Sequence, residues 1–241
     1  MLKDFFTTLV DLIYPPNCLS CKTHLSARSP KEILCPQCLK NIQYNLPPFC
    51  PKCSRPLLIS KDQARCRNCL KNDLQFDFAW GACLYDGVLK DLIHKFKYQQ
   101  KTLLRYLFAD LISNFINKYN LDINQFNFII PVPLYHANLR ERGYNQAELL
   151  AIEIAERFKI ELSTHNLVKV KPTRNQVDLN QKERWTNVQG AFTIKKPFEL
   201  ENKSILIIDD LLTTGATSSE IALELRKVNV KTIGVLTLAI A

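Results

Sequence analysis

Short apolar runs alternate with longer amphipathic segments over residues 76–241, and this alternation predicts strands and helices in turn. The predicted strands are 76–85, 127–133, 167–170, 191–194, 205–208 and 232–239. The predicted helices are 86–98, 102–119, 145–158 and one that begins near Thr217. Because strands and helices alternate, the pattern favours an α/β fold in which a parallel sheet has helices on both faces and the last strand closes the sheet.

Residues 1–76 follow a different pattern. An amphipathic helix is predicted over residues 1–14, and the segment after it has few continuous apolar runs. The helix is too short and too charged to span a membrane, so packing against the rest of the protein is favoured over a membrane-surface anchor. No small-residue cleavage site follows it, and the expected location is the cytosol. We therefore predict two domains: a helix with a small cysteine-rich module over 1–76, and a second domain over 77–241.

Eight of the nine cysteines form four Cys-x-x-Cys pairs, a spacing that lets two thiolates bind one tetrahedral zinc ion. Disulfide bonds, which require an oxidising compartment, and iron–sulfur ligation are the alternatives. We expect two structural zinc sites, the first two pairs holding one ion and the last two pairs the other, although the spacing is also compatible with interleaved use. The ninth cysteine is expected to be a buried core residue. The candidate zinc ligands are Cys18, Cys21, Cys35, Cys38, Cys50, Cys53, Cys66 and Cys69.

The net charge of +9 indicates polyanionic partners, either nucleic acid or phosphorylated metabolites. Residues 1–76 contain eleven Lys and Arg against five acidic residues, a formal +6. Two zinc ions, each bound by four thiolates, would lower this charge to about +2, because coordinating thiols are deprotonated. The net charge of the zinc-bound module is therefore less positive than a count of its charged residues indicates.

Residues 205–217 contain the strongest ligand signal in the chain. Asp209 and Asp210 directly follow the predicted strand 205–208, and ligands bind at the carboxyl ends of strands in open α/β sheets. Thr217 to Glu220 has the spacing of a capping box, so a helix is expected to begin there and to offer unpaired N–H groups to an anion. The alternative is a strand that ends in two exposed acids before an ordinary helix. The segment is similar to the signature of type I phosphoribosyltransferases, and this resemblance implies that the two adjacent acids bind the ribose hydroxyls and the loop after them holds the 5′-phosphate. The candidate ribose-phosphate residues are then Asp209, Asp210, Thr213, Thr214, Gly215, Ala216 and Thr217.

Two polar segments contain candidate cations for a pyrophosphate group. Residues 134–144 follow a predicted strand and include Arg140 and Arg142, whose guanidinium groups can each bind two phosphate oxygens. Both could equally be surface residues at a helix cap. Residues 171–190 form a long polar connection of the kind that acts as a lid, and they include Arg184. A further basic group is interpreted as a solvated edge: Lys95, Lys97 and Lys101.

The whole chain resembles the ComF family of competence proteins, in which a double zinc ribbon precedes a type I phosphoribosyltransferase domain. The motifs that carry the resemblance are the four cysteine pairs, Pro-Val-Pro-Leu at 131–134, Arg-Glu-Arg-Gly-Tyr-Asn-Gln at 140–146, Arg-Asn-Gln at 174–176 with 184–190, and the segment 208–217. The resemblance implies a role in natural transformation, with incoming single-stranded DNA and the competence machinery at the inner membrane as partners. It also implies phosphoribosyl pyrophosphate with Mg²⁺ as a ligand. The location that it implies is the cytoplasm, either free or peripherally associated with the inner membrane.

Two functions remain open from the sequence. As an enzyme, the protein would let a nitrogen nucleophile displace pyrophosphate at the anomeric carbon, but no acceptor pocket or general base is evident. As a binding protein, it would hold a ribose phosphate without turnover and handle DNA through basic grooves and aromatic stacking. DNA handling is favoured, with an active transferase as the alternative. Glutaminase activity is not expected, because it would need a cysteine exposed at the processed N-terminus and Met1 is followed by Leu2.

Overall fold

The computed structural model describes residues 17–25, 33–57, 65–174 and 180–241. The helix predicted over residues 1–14 lies outside the described residues, as do residues 175–179 of the predicted lid. The strands are β1 (Phe78–Leu84), β2 (Phe128–Pro131), β3 (Glu161–Leu162), β4 (Leu167–Lys169), β5 (Phe192–Ile194), β6 (Ser204–Leu212) and β7 (Thr232–Ile240). The helices are α1 (Pro36–Lys40), α2 (Arg67–Lys71), α3 (Gly87–Tyr98), α4 (Leu104–Lys118), α5 (His136–Arg142), α6 (Gln146–Phe158), α7 (Gln181–Val188), α8 (Pro197–Leu200) and α9 (Ala216–Lys227).

A parallel sheet with the strand order β1-β7-β6-β2-β3 forms the centre of the second domain. Strand β6 shows how the sequence covers both of its faces, because successive side chains along a strand point in opposite directions. Leu206 and Ile208 lie in the core formed with α3, α4 and α6. Ile205 and Ile207 lie in the opposite core, formed with α9 and with the last four paired cysteines. The predicted α/β fold is therefore confirmed.

Two predicted placements in the sheet are wrong. The strand predicted at 232–239 does not close the sheet, because β7 lies between β1 and β6 and β1 is the edge. The strands predicted at 167–170 and 191–194 are not part of the parallel sheet, since β4 and β5 pair with each other in an antiparallel ribbon. Each of the two strands has one buried residue followed by two partly exposed ones, whereas a strand inside this sheet is buried on both faces. The short β3 occupies the other edge instead.

The packing of α3 against α4 fixes the end of α3 that faces the candidate site. The rings of Phe96 and Phe108 are fully buried and meet edge to face, with their centroids 5.2 Å apart. Such an aromatic pair contributes about 0.5–1.5 kcal/mol beyond the apolar area that it buries. The next residue after Phe96 is Lys97, so this contact also determines where the Lys97 side chain can reach.

Candidate functional site

The two acids of the ligand signal lie inside β6, not after its end as the sequence predicts. Strand β2 pairs with β6 only as far as Ile208, opposite Pro131, whereas β7 continues to pair with it, Thr237 lying opposite Asp209. The strand is longer than the apolar run because pairing with β7 and burial of Leu212 continue past the two acids. Asp209 and Asp210 therefore stand at the point where one neighbouring strand has ended, which leaves that side of β6 open to a ligand.

The alternation along β6 sends the two carboxylates to opposite faces of the sheet, where one forms an ion pair with a lysine and the other acts on a second lysine through its charge. Asp210 points to the α3 side, where its Oδ2 lies 2.7 Å from the Nζ of Lys97. Asp209 points to the side of β4, where its charge acts on the amine of Lys169. The Nζ of Lys169 also donates to Thr173 Oγ1 at 2.7 Å. The site therefore combines two carboxyl groups and two lysines where β2 stops pairing with β6.

Burial and charge set the protonation of these groups. Burial, reinforced by the neighbouring Asp210 carboxylate, raises the pKa of Asp209 to about 7. Burial is the largest single effect on the pKa of Lys97 and lowers it, but the charges of Asp210 and Asp209 together with the hydrogen bond to Asp210 raise it, and the net shift is upward. Burial lowers the pKa of Lys169, against the opposing effect of Asp209. The pKa shift of Lys97 therefore favours its protonated form, whereas Asp209 is poised to exchange a proton near neutral pH.

Residues 213–217 form the turn from β6 into α9, and Gly215 makes the turn possible. Its φ of +85° lies in the left-handed region, which residues with a Cβ adopt only with strain. The helix begins at Ala216, and the Oγ1 of Thr214 accepts a hydrogen bond from the Ala216 N–H at 3.3 Å. This turn places peptide N–H groups at the amino end of a twelve-residue helix, as an anion-binding site requires.

The capping box predicted at Thr217 to Glu220 is wrong. Because the N-cap of α9 is Gly215, two residues before the predicted cap, Thr217 lies within the first turn of α9. The Oε1 of Glu220 instead accepts a hydrogen bond from the Gly190 N–H at 2.6 Å. Glu220 therefore ties the end of the polar connection 171–190 to α9.

The three candidate arginines occupy different environments. Arg142, at the end of α5, places its guanidinium carbon 4.9 Å from the centroid of the Tyr98 ring, and its charge acts on Lys169. Arg140 lies on the same short helix and is exposed. Arg184 is partly buried on α7. Arg142 is thus the arginine that the structure places beside the lysines of the site, next to an open cavity of about 140 Å³.

The residues after Arg142 connect α3 to the end of β2. Tyr144 donates its hydroxyl to the carbonyl oxygen of Phe96, and Gln146 donates to the carbonyl of Lys97 at 3.4 Å. Asn145 donates to the carbonyl of Val132 at 3.0 Å and caps α6 by accepting from the Ala147 N–H at 3.1 Å. These three side chains therefore position the two sides of the cavity relative to one another.

Sequence reasoning missed the two lysines of the site. The interpretation of Lys95 and Lys97 as a solvated edge is wrong, because Lys95 is buried and ion-paired with Asp91, and Lys97 pairs with Asp210. Lys169 lies in the run 167–170, which predicts a strand. A lysine within such an apolar run is unusual, and this is the signal that could have identified Lys169 as a site residue.

The eight paired cysteines form two tetrads, and in each tetrad the sulfur atoms lie within 4.8 Å of one another. The first tetrad is Cys18, Cys21, Cys35 and Cys38, and the second tetrad is Cys50, Cys53, Cys66 and Cys69. The pairs are therefore used sequentially, and interleaved use does not fit. Among the sulfur contacts, Cys21 to Cys35 measures 3.6 Å and Cys53 to Cys66 measures 3.4 Å. Two sulfurs on one tetrahedral zinc are about 3.8 Å apart, whereas a disulfide bond is about 2.05 Å, so the tetrads fit zinc.

Hydrogen bonds to sulfur stabilise the second tetrad as a thiolate site. The backbone N–H of Cys66 points to the sulfur of Cys50, and the guanidinium of Arg55 points to that of Cys53, both at 3.4 Å. A hydrogen bond from Cys69 is the largest of the effects that lower the pKa of Cys53 to about 5, and the same contact is the largest of the effects that raise the pKa of Cys69. Burial raises the pKa of Cys66. Zinc binds thiolates, so metal binding at this tetrad releases the protons that Cys66 and Cys69 retain.

Elemental analysis of the purified protein is expected to find two zinc ions per chain, one for each tetrad. Metal-free protein that keeps the cooperative unfolding of the native form would contradict this prediction, because a module with so little apolar core needs the metal to fold. Inductively coupled plasma mass spectrometry after extensive dialysis is the measurement, and iron measured in the same sample distinguishes zinc from an iron–sulfur cluster.

Cys83, the ninth cysteine, is fully buried in β1, and burial raises the pKa of its thiol to about 12. It is a core residue, as the sequence predicts.

Among the residues that the structure describes, no helix combines the length and the hydropathy needed to cross a membrane.

Comparisons with known proteins agree with this architecture. The family model described as "Double zinc ribbon domain" matches residues 9–70, and the one described as "Phosphoribosyl transferase domain" matches residues 145–240. Competence protein F of Haemophilus influenzae is 34% identical over 229 residues, which cover 92% of this chain and 96% of that protein. Competence protein ComFC of Bacillus subtilis is 27% identical over 78% of this chain and 75% of that protein. DNA utilization protein YhgH of Salmonella typhimurium is 24% identical over 78% of this chain and 82% of that protein. With these matches across nearly its whole length, the chain belongs to the competence protein F family, whose members join a double zinc ribbon to a phosphoribosyltransferase domain.

Proposed function

We propose that the protein binds phosphoribosyl pyrophosphate, or a related ribose phosphate, and acts in the handling of incoming single-stranded DNA during natural transformation. The observation that carries the ligand assignment is the arrangement at the end of β6. Asp209 and Asp210 lie beyond the last residue of β6 that pairs with β2, and a left-handed glycine turn leads from β6 into α9. Carboxylates that accept hydrogen bonds from a cis-diol, beside N–H groups that bind a phosphate, are complementary to a ribose 5-phosphate.

In this proposal the two acids hold the ribose hydroxyls, and residues 213–217 hold the 5′-phosphate. Thr213 and Thr217 are partly exposed in the turn, where hydroxyl groups can donate to phosphate oxygens. Arg142 and Lys169 supply positive charge for the pyrophosphate group. Arg140 and Arg184 remain further anion candidates.

Lys97 gives the site a specific requirement. Its amine neutralises Asp210 at 2.7 Å, and Asp210 is 7% exposed, so a ribose hydroxyl reaches this carboxylate only by sharing it with the lysine or by displacing it. Ligand binding therefore rearranges an existing ion pair. The lysine then remains beside the ligand as a further cation for its phosphate groups.

The donor set also fits Mg²⁺. Mg²⁺ prefers oxygen ligands and keeps several waters, and Asp209 is a carboxylate whose pKa is raised to about 7 by burial and by repulsion from Asp210. A nearby dication would relieve that repulsion. Asp209 would hold the hydrated ion, which supplies charge neutralisation for the phosphate groups of the ligand.

The DNA-handling part of the proposal rests on the relatives, which are named competence or DNA utilization proteins. The net charge of +9 supports a polyanionic partner. A phosphoribosyltransferase that uses phosphoribosyl pyrophosphate and Mg²⁺ is the second candidate function, because the ribose-phosphate turn is intact. The described residues contain no group that we can assign as a general base for an acceptor.

Isothermal titration of phosphoribosyl pyrophosphate with Mg²⁺ tests the ligand assignment. The wild type is expected to bind, and the isosteric variant Asp209→Asn/Asp210→Asn is expected to lose binding. Asp110→Asn is the matched control, because it removes an exposed carboxylate that pairs with Arg157 on a different part of the surface. A wild type that does not bind, or a double variant that binds equally well, would show that the assignment is wrong.

Fluorescence anisotropy with a labelled single-stranded oligonucleotide tests the DNA assignment. Binding is expected at low salt and should weaken steeply between about 50 and 200 mM salt, because phosphate contacts release counterions. Absence of binding at low salt would remove the physical support for DNA handling. Release of pyrophosphate on addition of a nucleobase would favour the transferase.

A further inference from the structure

We infer that Asn68, on the helix between the last two cysteines of the second tetrad, is a positioning residue for the phosphate turn 213–217. This inference rests on the proposed ribose-phosphate site. It assigns to the zinc-ribbon module a role in the geometry of that site, beyond its own folding.

The central contact is a hydrogen bond from the module to the turn. The Nδ2 of Asn68 donates to the carbonyl oxygen of Thr214 at 3.1 Å, and Thr214 is 7% exposed. The orientation of the Asn68 amide is fixed independently, because Asn72 donates its own Nδ2 to the Oδ1 of Asn68 at 3.1 Å. The Asn68 oxygen is therefore the acceptor from Asn72, and its nitrogen is the donor to Thr214.

The direction of this hydrogen bond matters for anion binding. In a trans peptide unit the C=O of one residue and the N–H of the next point in opposite directions. Because Asn68 holds the Thr214 carbonyl toward the module, the N–H of Gly215 points away from it. This inference places the phosphate on that side of the turn, where the Gly215 N–H is free of the module.

The residues after the second tetrad support the same turn. Leu74 packs beneath Gly215, since a β-carbon at position 215 would lie 3.1 Å from Leu74 Cδ2. The N–H of Gln75 donates to Ser219 Oγ in the first turn of α9 at 3.0 Å. Residues 68–75 therefore touch both the phosphate turn and the start of the helix that follows it.

The zinc ligands hold this support in place. Asn68 lies directly before Cys69 and two residues after Cys66, and both cysteines are buried in the core that also contains Phe76 and Ala216. The first tetrad packs elsewhere, against Leu25 and Val88. It provides a matched control residue, Gln37, which is exposed and directly precedes Cys38 as Asn68 precedes Cys69.

The test compares Asn68→Ala with Gln37→Ala in the full-length, zinc-loaded protein. Amide hydrogen exchange of residues 213–219 without ligand is the first measurement, and we expect faster exchange in Asn68→Ala alone. Titration with phosphoribosyl pyrophosphate and Mg²⁺ is the second, and loss of one hydrogen bond is expected to weaken binding about fivefold to tenfold in Asn68→Ala and to leave Gln37→Ala unchanged. Asn68→Asp keeps the acceptor for Asn72 and removes the donor to Thr214, so it should reproduce the effect. Zinc content and melting temperature should stay close to the wild type in all three variants.

The outcomes separate this inference from the proposed function. If the wild type binds and Asn68→Ala shows wild-type affinity and wild-type exchange in the turn, the positioning role is wrong. Equal weakening by Gln37→Ala would also overturn it, because the effect would then be a general one on the module. If the wild type binds no ribose phosphate, the proposed function fails, and the exchange measurement alone decides whether Asn68 holds the turn.

Discussion

Replacing Asp209 with asparagine is expected to abolish binding of phosphoribosyl pyrophosphate and, at the same time, to stabilise the folded protein at pH 8. The reason is that the pKa of Asp209 is raised from 3.8 to about 7 by burial and by the adjacent Asp210. A shift of this size corresponds to an upper limit of about 4 kcal/mol of unfavourable free energy for the ionised form. Relaxation and water around this partly buried group reduce it, and we expect a gain of about 1–3 kcal/mol in the free energy of unfolding.

The sign of the pH dependence follows from the same shift. Between pH 4 and pH 7 the folded protein binds a proton at Asp209 that the unfolded chain does not, so this group stabilises the fold as the pH falls through that window. Above pH 7 the stabilisation is lost. Urea unfolding of the wild type and of Asp209→Asn at pH 5.5 and pH 8 measures it. Because pH 5.5 lies near the middle of this window, the stability difference between the two proteins should be about twice as large at pH 8 as at pH 5.5.

Asp210→Asn is the control for this prediction, because it acts in the opposite direction. It removes the partner of Lys97 and leaves a largely buried amine without its carboxylate, which is expected to destabilise the fold by about 1–3 kcal/mol. If Asp209→Asn destabilises the protein to the same extent as Asp210→Asn, the prediction is wrong. The Asp209 carboxylate would then contribute to the stability of the fold instead of lowering it.

The fold of the second domain could largely be predicted from the sequence, because its strands and helices have strong and different periodicities. Helices α3, α4 and α6 begin and end within two residues of their predicted bounds, since each has an apolar face that repeats at helical spacing. Strand order is a different kind of information. That β7 lies between β1 and β6 follows from pairing between distant segments, which no local pattern encodes.

The candidate site could be predicted only in part, and the missing parts are side-chain contacts across the fold. Asp209 and Asp210 follow an apolar run directly, so the sequence predicts them together beside a strand, although it places them after the strand and the structure places them inside β6. Lys97 is more than a hundred residues away and reaches Asp210 from another helix, and Lys169 comes from a ribbon outside the main sheet. A lysine on an amphipathic helix usually faces solvent, and only the packing of Phe96 on Phe108 shows that this one does not.

The two zinc ions are expected to leave the protein at very different rates when a chelator is added, because their surroundings differ. All four cysteines of the second tetrad are buried, in a core that continues into the sheet through Phe76 and Ile207. The first tetrad is open to solvent on one side, where Cys21 is exposed. Access to the second ion requires opening of the surrounding core, so we expect its release to be at least about tenfold slower. A metallochromic indicator that follows zinc release should therefore show two phases of equal amplitude.

Single substitutions assign the phases and measure how far the second ion supports the transferase domain. Cys21→Ser should remove the fast phase and leave binding of phosphoribosyl pyrophosphate intact, because the first tetrad packs against Leu25 and Val88 and away from the phosphate turn. Cys66→Ser should remove the slow phase and lower the free energy of unfolding by at least about 4 kcal/mol, since it removes a metal ligand from a buried core. A single phase of release, or equal destabilisation by the two substitutions, would contradict the view that the second ribbon is built into the transferase core. If the two phases and the unequal costs are found, the second zinc is a structural element of the domain that carries Asp209 and Asp210, and the first serves the outer ribbon alone.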